Sequence, residues 1–93
     1  MKNKHTLTRI SEEAFNELTR IKQTTNLPHQ TVMQLAIAKE VTESDLLKYP
    51  ASKGRKHIRI SQDALATLKA LNGFKIDIAR LLSLKIHKLS LEV

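Results

Sequence analysis

Apolar residues along the chain fall into one pattern that occurs twice, fifty residues apart: "TRISEEAFNEL" (8–18) returns as "IRISQDALATL" (58–68). Each copy begins with a period of two. In "RKHIRIS" this places Ile58 and Ile60 on one face and Arg55, His57 and Arg59 on the other. In "HTLTRIS" it places Thr6, Thr8 and Ile10 inward and His5, Leu7 and Arg9 outward. A slip of one residue would exchange the two faces. The register adopted sets Arg9 and Arg59 at equivalent positions.

The period then changes to that of a helix. Ala14, Phe15, Leu18 and Ile21 form one apolar stripe, and Ala64, Leu65, Leu68 and Leu71 copy it. Ser11 and Ser61 are the predicted N-caps, followed by Glu12-Glu13 and Gln62-Asp63 in first turns where the helix dipole favours acids. "TTNLP" (24–28) stops the first helix, with Asn26 suited to a left-handed cap and Pro28 to the first turn of a second helix. That helix carries Val32, Met33, Leu35, Ala36 and Ile37. In the second copy Asn72-Gly73 is the expected stop, and a last helix from about Asp77 carries Leu81, Leu82, Leu84 and Ile86. It matches the first copy at an offset of 49, so the second inter-helix turn is one residue shorter.

Between the copies lies "TESDLLKYPASKG" (42–54), where a residue before proline avoids the helical region. This stretch is expected to be a spacer, able to reach about 40 Å when extended, with Leu46 and Leu47 covering core edges. Half of a 93-residue chain buries too little surface to fold by itself. A lone strand also leaves both edges unpaired. Two copies remove both difficulties if their strands pair antiparallel and their four helices enclose one core. The predicted fold is mostly α with a two-stranded antiparallel β-ribbon, in the order β-α-α-β-α-α. Residues 1–93 form a single pseudo-dimeric domain, with motifs at 4–41 and 55–89 and a linker at 42–54.

Charge narrows the function. Sixteen Lys and Arg against nine Asp and Glu give a net charge of +7, a field suited to a polyanion. Cysteine is absent, which removes disulfides, thiolate catalysis and cysteine-bound zinc. His5, His29, His57 and His87 lack zinc-site spacing, and Gly54 and Gly73 form no phosphate loop, so neither an enzyme nor a cofactor is expected. His29 and His87 read as surface residues. No apolar run approaches the length of a membrane span, and no apolar core follows the basic N-terminus as a secretory signal requires. A cytoplasmic protein is expected. Phe15, Tyr49 and Phe74 are the only aromatics, too few for stacking-based single-strand recognition, and Phe15 belongs to the core stripe.

An antiparallel ribbon fits the DNA major groove, where arginine can pair with guanine O6 and N7 and Leu7 can meet a thymine methyl. At "TLTRISEEAFNELTRI" with "NLPHQTVMQLAIA", and again at "HIRISQDALATLKAL" with "IDIARLLSLKI", the chain resembles the ribbon-helix-helix (MetJ/Arc) superfamily of DNA-binding proteins, two motifs in tandem. The resemblance implies base contacts from His5, Leu7, Arg9, Arg55, His57 and Arg59. It implies a phosphate clamp at the start of each second helix, at Pro28, His29 and Gln30 and at Asp77, Ile78 and Ala79. Asp77 departs from that pattern, since an acid repels a phosphate, and reads better as an N-cap. Lys2, Lys4, Lys53, Arg55 and Lys56 precede the strands and suit phosphates without reading sequence.

The expected partner is double-stranded DNA and the expected role a sequence-specific transcriptional repressor, acting by occupancy of an operator. The alternatives are a relaxosome accessory protein of plasmid transfer and an antitoxin-type regulator. Leu89, Leu91 and Val93 would support self-association of pseudo-dimers on adjacent sites. A helix-turn-helix reading of 18–36, or an all-helical scaffold, leaves the repeated alternating runs unexplained.

Overall fold

Two serines set where strand gives way to helix. In the computed structural model, which describes residues 5–48, 55–73 and 75–93, Ser11 and Ser61 are both extended and both accept a hydrogen bond from the backbone N–H three residues on. Ser11 takes that of Ala14 at 3.1 Å and Ser61 that of Ala64 at 3.0 Å. Each hydroxyl satisfies an orphan donor of the first turn. Strand β1 (His5–Ser11) thus leads directly into helix α1 (Glu12–Thr25), and β2 (Arg55–Ser61) into α4 (Gln62–Ala70). Helix α1 ends as expected on Asn26, which adopts a left-handed φ of 58° while its N–H returns to the Lys22 carbonyl at 2.9 Å. The second helices are α2 (His29–Ile37) and α5 (Ile78–Ser90).

The expected β-α-α-β-α-α order requires correction. A short helix α3 (Glu43–Lys48) lies in the first part of the linker, giving β-α-α-α-β-α-α. Thr42 and Asp45 create it as a reciprocal cap: Thr42 N–H donates to Asp45 Oδ2 at 2.8 Å, and Asp45 N–H to Thr42 Oγ1 at 3.2 Å. Lys88 of α5 donates to the same carboxylate at 2.7 Å, and Arg80 donates to the Leu46 carbonyl at 2.9 Å, so α3 is held against the last helix. Leu46 is half-buried, but Leu47 is 82% exposed and covers no core edge. Helix α4 ends at its C-cap Leu71, so Asn72-Gly73 stops it as expected. The left-handed residue of the turn before α5 is Lys75, at φ 55°. The Asn72 carboxamide fixes this turn by donating to the Ile76 carbonyl at 2.7 Å and accepting from the Ile76 N–H at 3.1 Å.

The two strands pair antiparallel as a two-stranded sheet in which His5 faces Ser61, Thr8 faces Ile58 and Ser11 faces Arg55. Below it lies one core to which both copies contribute. Ile10, Leu18, Ile21, Val32, Met33, Ile60, Leu68, Leu81, Leu82 and Ile86 are all buried in it. The packing crosses between copies: α1 lies against α5, α2 against α4, α5 under β1 and α2 against β2. Burial of these side chains removes about 1.5–3 kcal/mol of unfavourable hydration each, and neither copy keeps that burial without the other.

Two polar contacts reinforce the crossing. Ser11 N–H donates to Ser83 Oγ at 2.8 Å, tying β1 to α5. Lys85, only 3% exposed, donates to the Ile37 carbonyl at 2.9 Å and to that of Lys39, placing a cation at the carboxyl end of α2 where the helix dipole favours it. Burial lowers the Lys85 pKa, and the nearby Glu40 carboxylate opposes that shift. Leu89 is core, whereas Leu91 is 72% exposed. Among the described residues no helix is long and apolar enough to cross a membrane.

Candidate nucleic-acid interface

The strand alternation sorts the ribbon into two faces as the sequence predicts. Ile10, Ile58 and Ile60 are buried and Thr6 and Thr8 half-buried, while His5, Leu7, Arg9, His57 and Arg59 are exposed. Leu7 is 63% exposed, an apolar side chain presented among basic ones. The pairing sets Leu7 opposite Arg59 and Arg9 opposite His57. Side chains directly opposite on one face of an antiparallel pair are close enough to touch. Arg9 and His57 do, with Arg9 Nε donating to His57 Nε2 at 3.3 Å. That nitrogen accepts, so the His57 proton sits on Nδ1 in this arrangement. Arg55 belongs to β2 and faces Ser11.

The base of the ribbon is braced from one side by a histidine. His29, the first residue of α2, has Nε2 2.7 Å from the Arg59 carbonyl. A carbonyl only accepts, so Nε2 carries the hydrogen; Nδ1 is then the bare nitrogen facing Lys22 Nζ at 3.5 Å. The ring expected at a phosphate therefore holds the backbone of a ribbon arginine, and it is partly buried in doing so. Pro28 stands at the N-cap, one residue earlier than expected, and its carbonyl accepts the first bond of the helix from Val32 at 3.1 Å. Pro28 is exposed, and Gln30 half-buried beside it. In the second copy Asp77 stands at the N-cap of α5, with Ile78 half-buried behind it. The two helix starts are thus chemically unlike: a proline and a histidine at one, an acid at the other.

Lys56 opens β2 and is exposed, with its ammonium 5.9 Å from the centre of the Phe15 ring, within range of a cation–π contact. Phe15 is half-buried on the core edge. Lys2, Lys4 and Lys53 lie outside the described residues, as do Tyr49 and Phe74. His87, read from sequence as a surface residue, is half-buried and pairs with Glu17 of α1 through Nδ1 at 2.6 Å. Sequence spacing gives no notice of that pair, because 70 positions separate its members. Among the described residues no three His, Cys, Asp or Glu side chains are grouped to hold a metal ion.

The ribbon therefore offers an exposed face of guanidinium, imidazole and aliphatic tips over buried isoleucines. Guanidinium and imidazole N–H groups can donate hydrogen bonds, and the Leu7 side chain offers an apolar contact. No family model, curated protein or solved structure matches the chain.

Proposed function

We propose that the chain is a covalently joined ribbon-helix-helix pseudo-dimer that binds double-stranded DNA sequence-specifically, with the β1–β2 ribbon in the major groove, and that it represses transcription by occupying an operator. The observation that carries this reading is the exposed ribbon face, on which Leu7, Arg9, His57 and Arg59 stand in two cross-strand pairs over buried isoleucines. A two-stranded ribbon has the width the major groove admits, and arginine is the side chain best suited to guanine there. The net charge of +7 supplies the sequence-independent attraction.

The halves are not identical. Leu7 on one strand corresponds to His57 on the other, and His5 to Arg55. The preferred site is accordingly expected to be an imperfect inverted repeat. Repression by occupancy needs no chemistry, in keeping with a face that carries only contact groups.

Selection of bound duplexes from a random-sequence pool by the purified protein tests the proposal. Enrichment of a short imperfect inverted repeat that changes when the ribbon arginines are replaced is the expected result. Binding without enrichment, or an enriched motif indifferent to Arg9 and Arg59, would overturn it.

A further inference from the structure

The repeat makes each helix seam a control for the other. At the α1–α5 seam, Glu17 and His87 meet, with the Ser90 hydroxyl also 3.3 Å from the Glu17 carboxylate. The offsets of 50 and 49 place Thr67 where Glu17 stands and Ala38 where His87 stands. At the α2–α4 seam the paired carboxylate and imidazole are thus replaced by a hydroxyl and a methyl. A groove of about 360 Å³ occupies that place, lined by Gln34, Ile37, Ala38, Asp63, Thr67 and Leu71. Its volume falls within the range of small-molecule sites.

We propose that this groove binds a small organic cation with an apolar body the size of one ring. The filled seam supplies the template for the occupant: there a five-membered ring bearing an N–H lies against a carboxylate between the same two helix positions. In the open seam Ile37, Ala38 and Leu71 supply the apolar walls for a ring. Among the described residues Asp63 is the one ionisable side chain in the lining; it is exposed and would select positive charge. Gln34 adds a carboxamide that can accept an N–H. Ser61, the last residue of β2 and the N-cap of α4, lines one end of the groove, so the site adjoins the end of the ribbon; the other lining residues lie on α2, α4 and their C-caps, and the inference does not require that the ribbon bind DNA.

Benzylamine and benzoate, matched in size and opposite in charge, are suitable probes for the full chain followed by amide NMR. Benzylamine is expected to give saturable shifts at Ala38, Ala64, Thr67 and Leu71, and to bind about tenfold more tightly than benzoate. Asp63→Asn, an exposed change, should remove that preference. The double variant Ala38→His with Thr67→Glu should fill the groove as the other seam is filled, abolish the shifts and raise the melting temperature. Shifts centred elsewhere, equal binding of the two probes, or undiminished binding by a folded double variant would each overturn the proposal. Should the double variant fail to fold, the Asp63→Asn comparison decides alone.

Discussion

Thr8 and Ile58 face each other across the ribbon, and they are the same position of the repeat. The register is symmetric about that pair. Every β1 residue therefore lies opposite the counterpart of a residue equally far on the other side of Thr8, which is how Leu7 comes to face Arg59 and His57 to face Arg9. A local two-fold axis follows from the duplicated sequence, and with it two exposed half-faces of related but unequal chemistry, the halves that the proposed function would use to read DNA.

Arg59 is the sharpest test of those half-faces. Arg59→Ala is expected to cost about 1–3 kcal/mol at one base pair and to relax preference there, because a bidentate contact to a single base is lost. Lys56→Ala is expected instead to weaken all sequences alike and to reduce the slope of affinity against salt by about one. Fluorescence anisotropy with singly substituted duplexes at several salt concentrations separates the two behaviours. An unchanged sequence preference in Arg59→Ala would show that the ribbon face is misread.

Leu82 tests the shared core. It is wholly buried in a cluster drawn from both copies. Leu82→Ala should cost about 2–5 kcal/mol, and the loss should appear as a lower midpoint of one cooperative transition, not as the melting of the second copy alone. Urea denaturation followed by circular dichroism and by amide exchange in β1 would reveal a separate, earlier transition if the copies were independent.

Asp45 links stability to acid. Its carboxyl is held at about 2, below the ordinary 3.8, first by the Lys88 ammonium and then by the Thr42 N–H. A depressed carboxyl stabilises the fold above its unfolded value and ceases to do so as pH falls through its folded value. Asp45→Asn is therefore expected to lower the melting temperature at pH 7, with the gap to the parent closing between pH 3.8 and about 2. A gap that persists unchanged at the acid end would remove Lys88 and Thr42 as its cause.

Lys85 presents opposing effects whose balance can be measured. Burial disfavours its charge, while two carbonyls at the end of α2 depend on its ammonium. Lys85→Met keeps the aliphatic stem and leaves those carbonyls short of a donor, so a net loss of about 1–3 kcal/mol is expected. Urea midpoints measure it, and a stabilised variant would mean that desolvation outweighs the capping bonds.

What could be read along the chain was local. The serine caps, the left-handed Asn26 and the inward isoleucines each follow from residues within one or two turns of one another. Helix α3 was equally local, in the Thr42-x-x-Asp45 spacing, but the Tyr49-Pro50 and Ala-Ser-Gly residues after it made the whole stretch read as spacer. Asn72-Gly73 marks the end of α4, but the left-handed residue is Lys75, placed by the Asn72 grip on Ile76, which the residue types alone do not signal. The His29 clasp on Arg59, the Glu17–His87 pair and the burial of Lys85 depend on helices from different copies meeting. Lysine and histidine on a helix default to solvent, and nothing within a turn of these residues says otherwise.

A ribbon whose two strands belonged to separate molecules would come apart on dilution, and its readiness to bind would rise with the square of protein level. Here one polypeptide supplies both strands, and the Asp45–Lys88 contact fastens the start of the linker to α5. Assembly is unimolecular, so the folded fraction is indifferent to copy number. Titration of a single isolated site should give a simple hyperbola down to the lowest concentrations that can be measured.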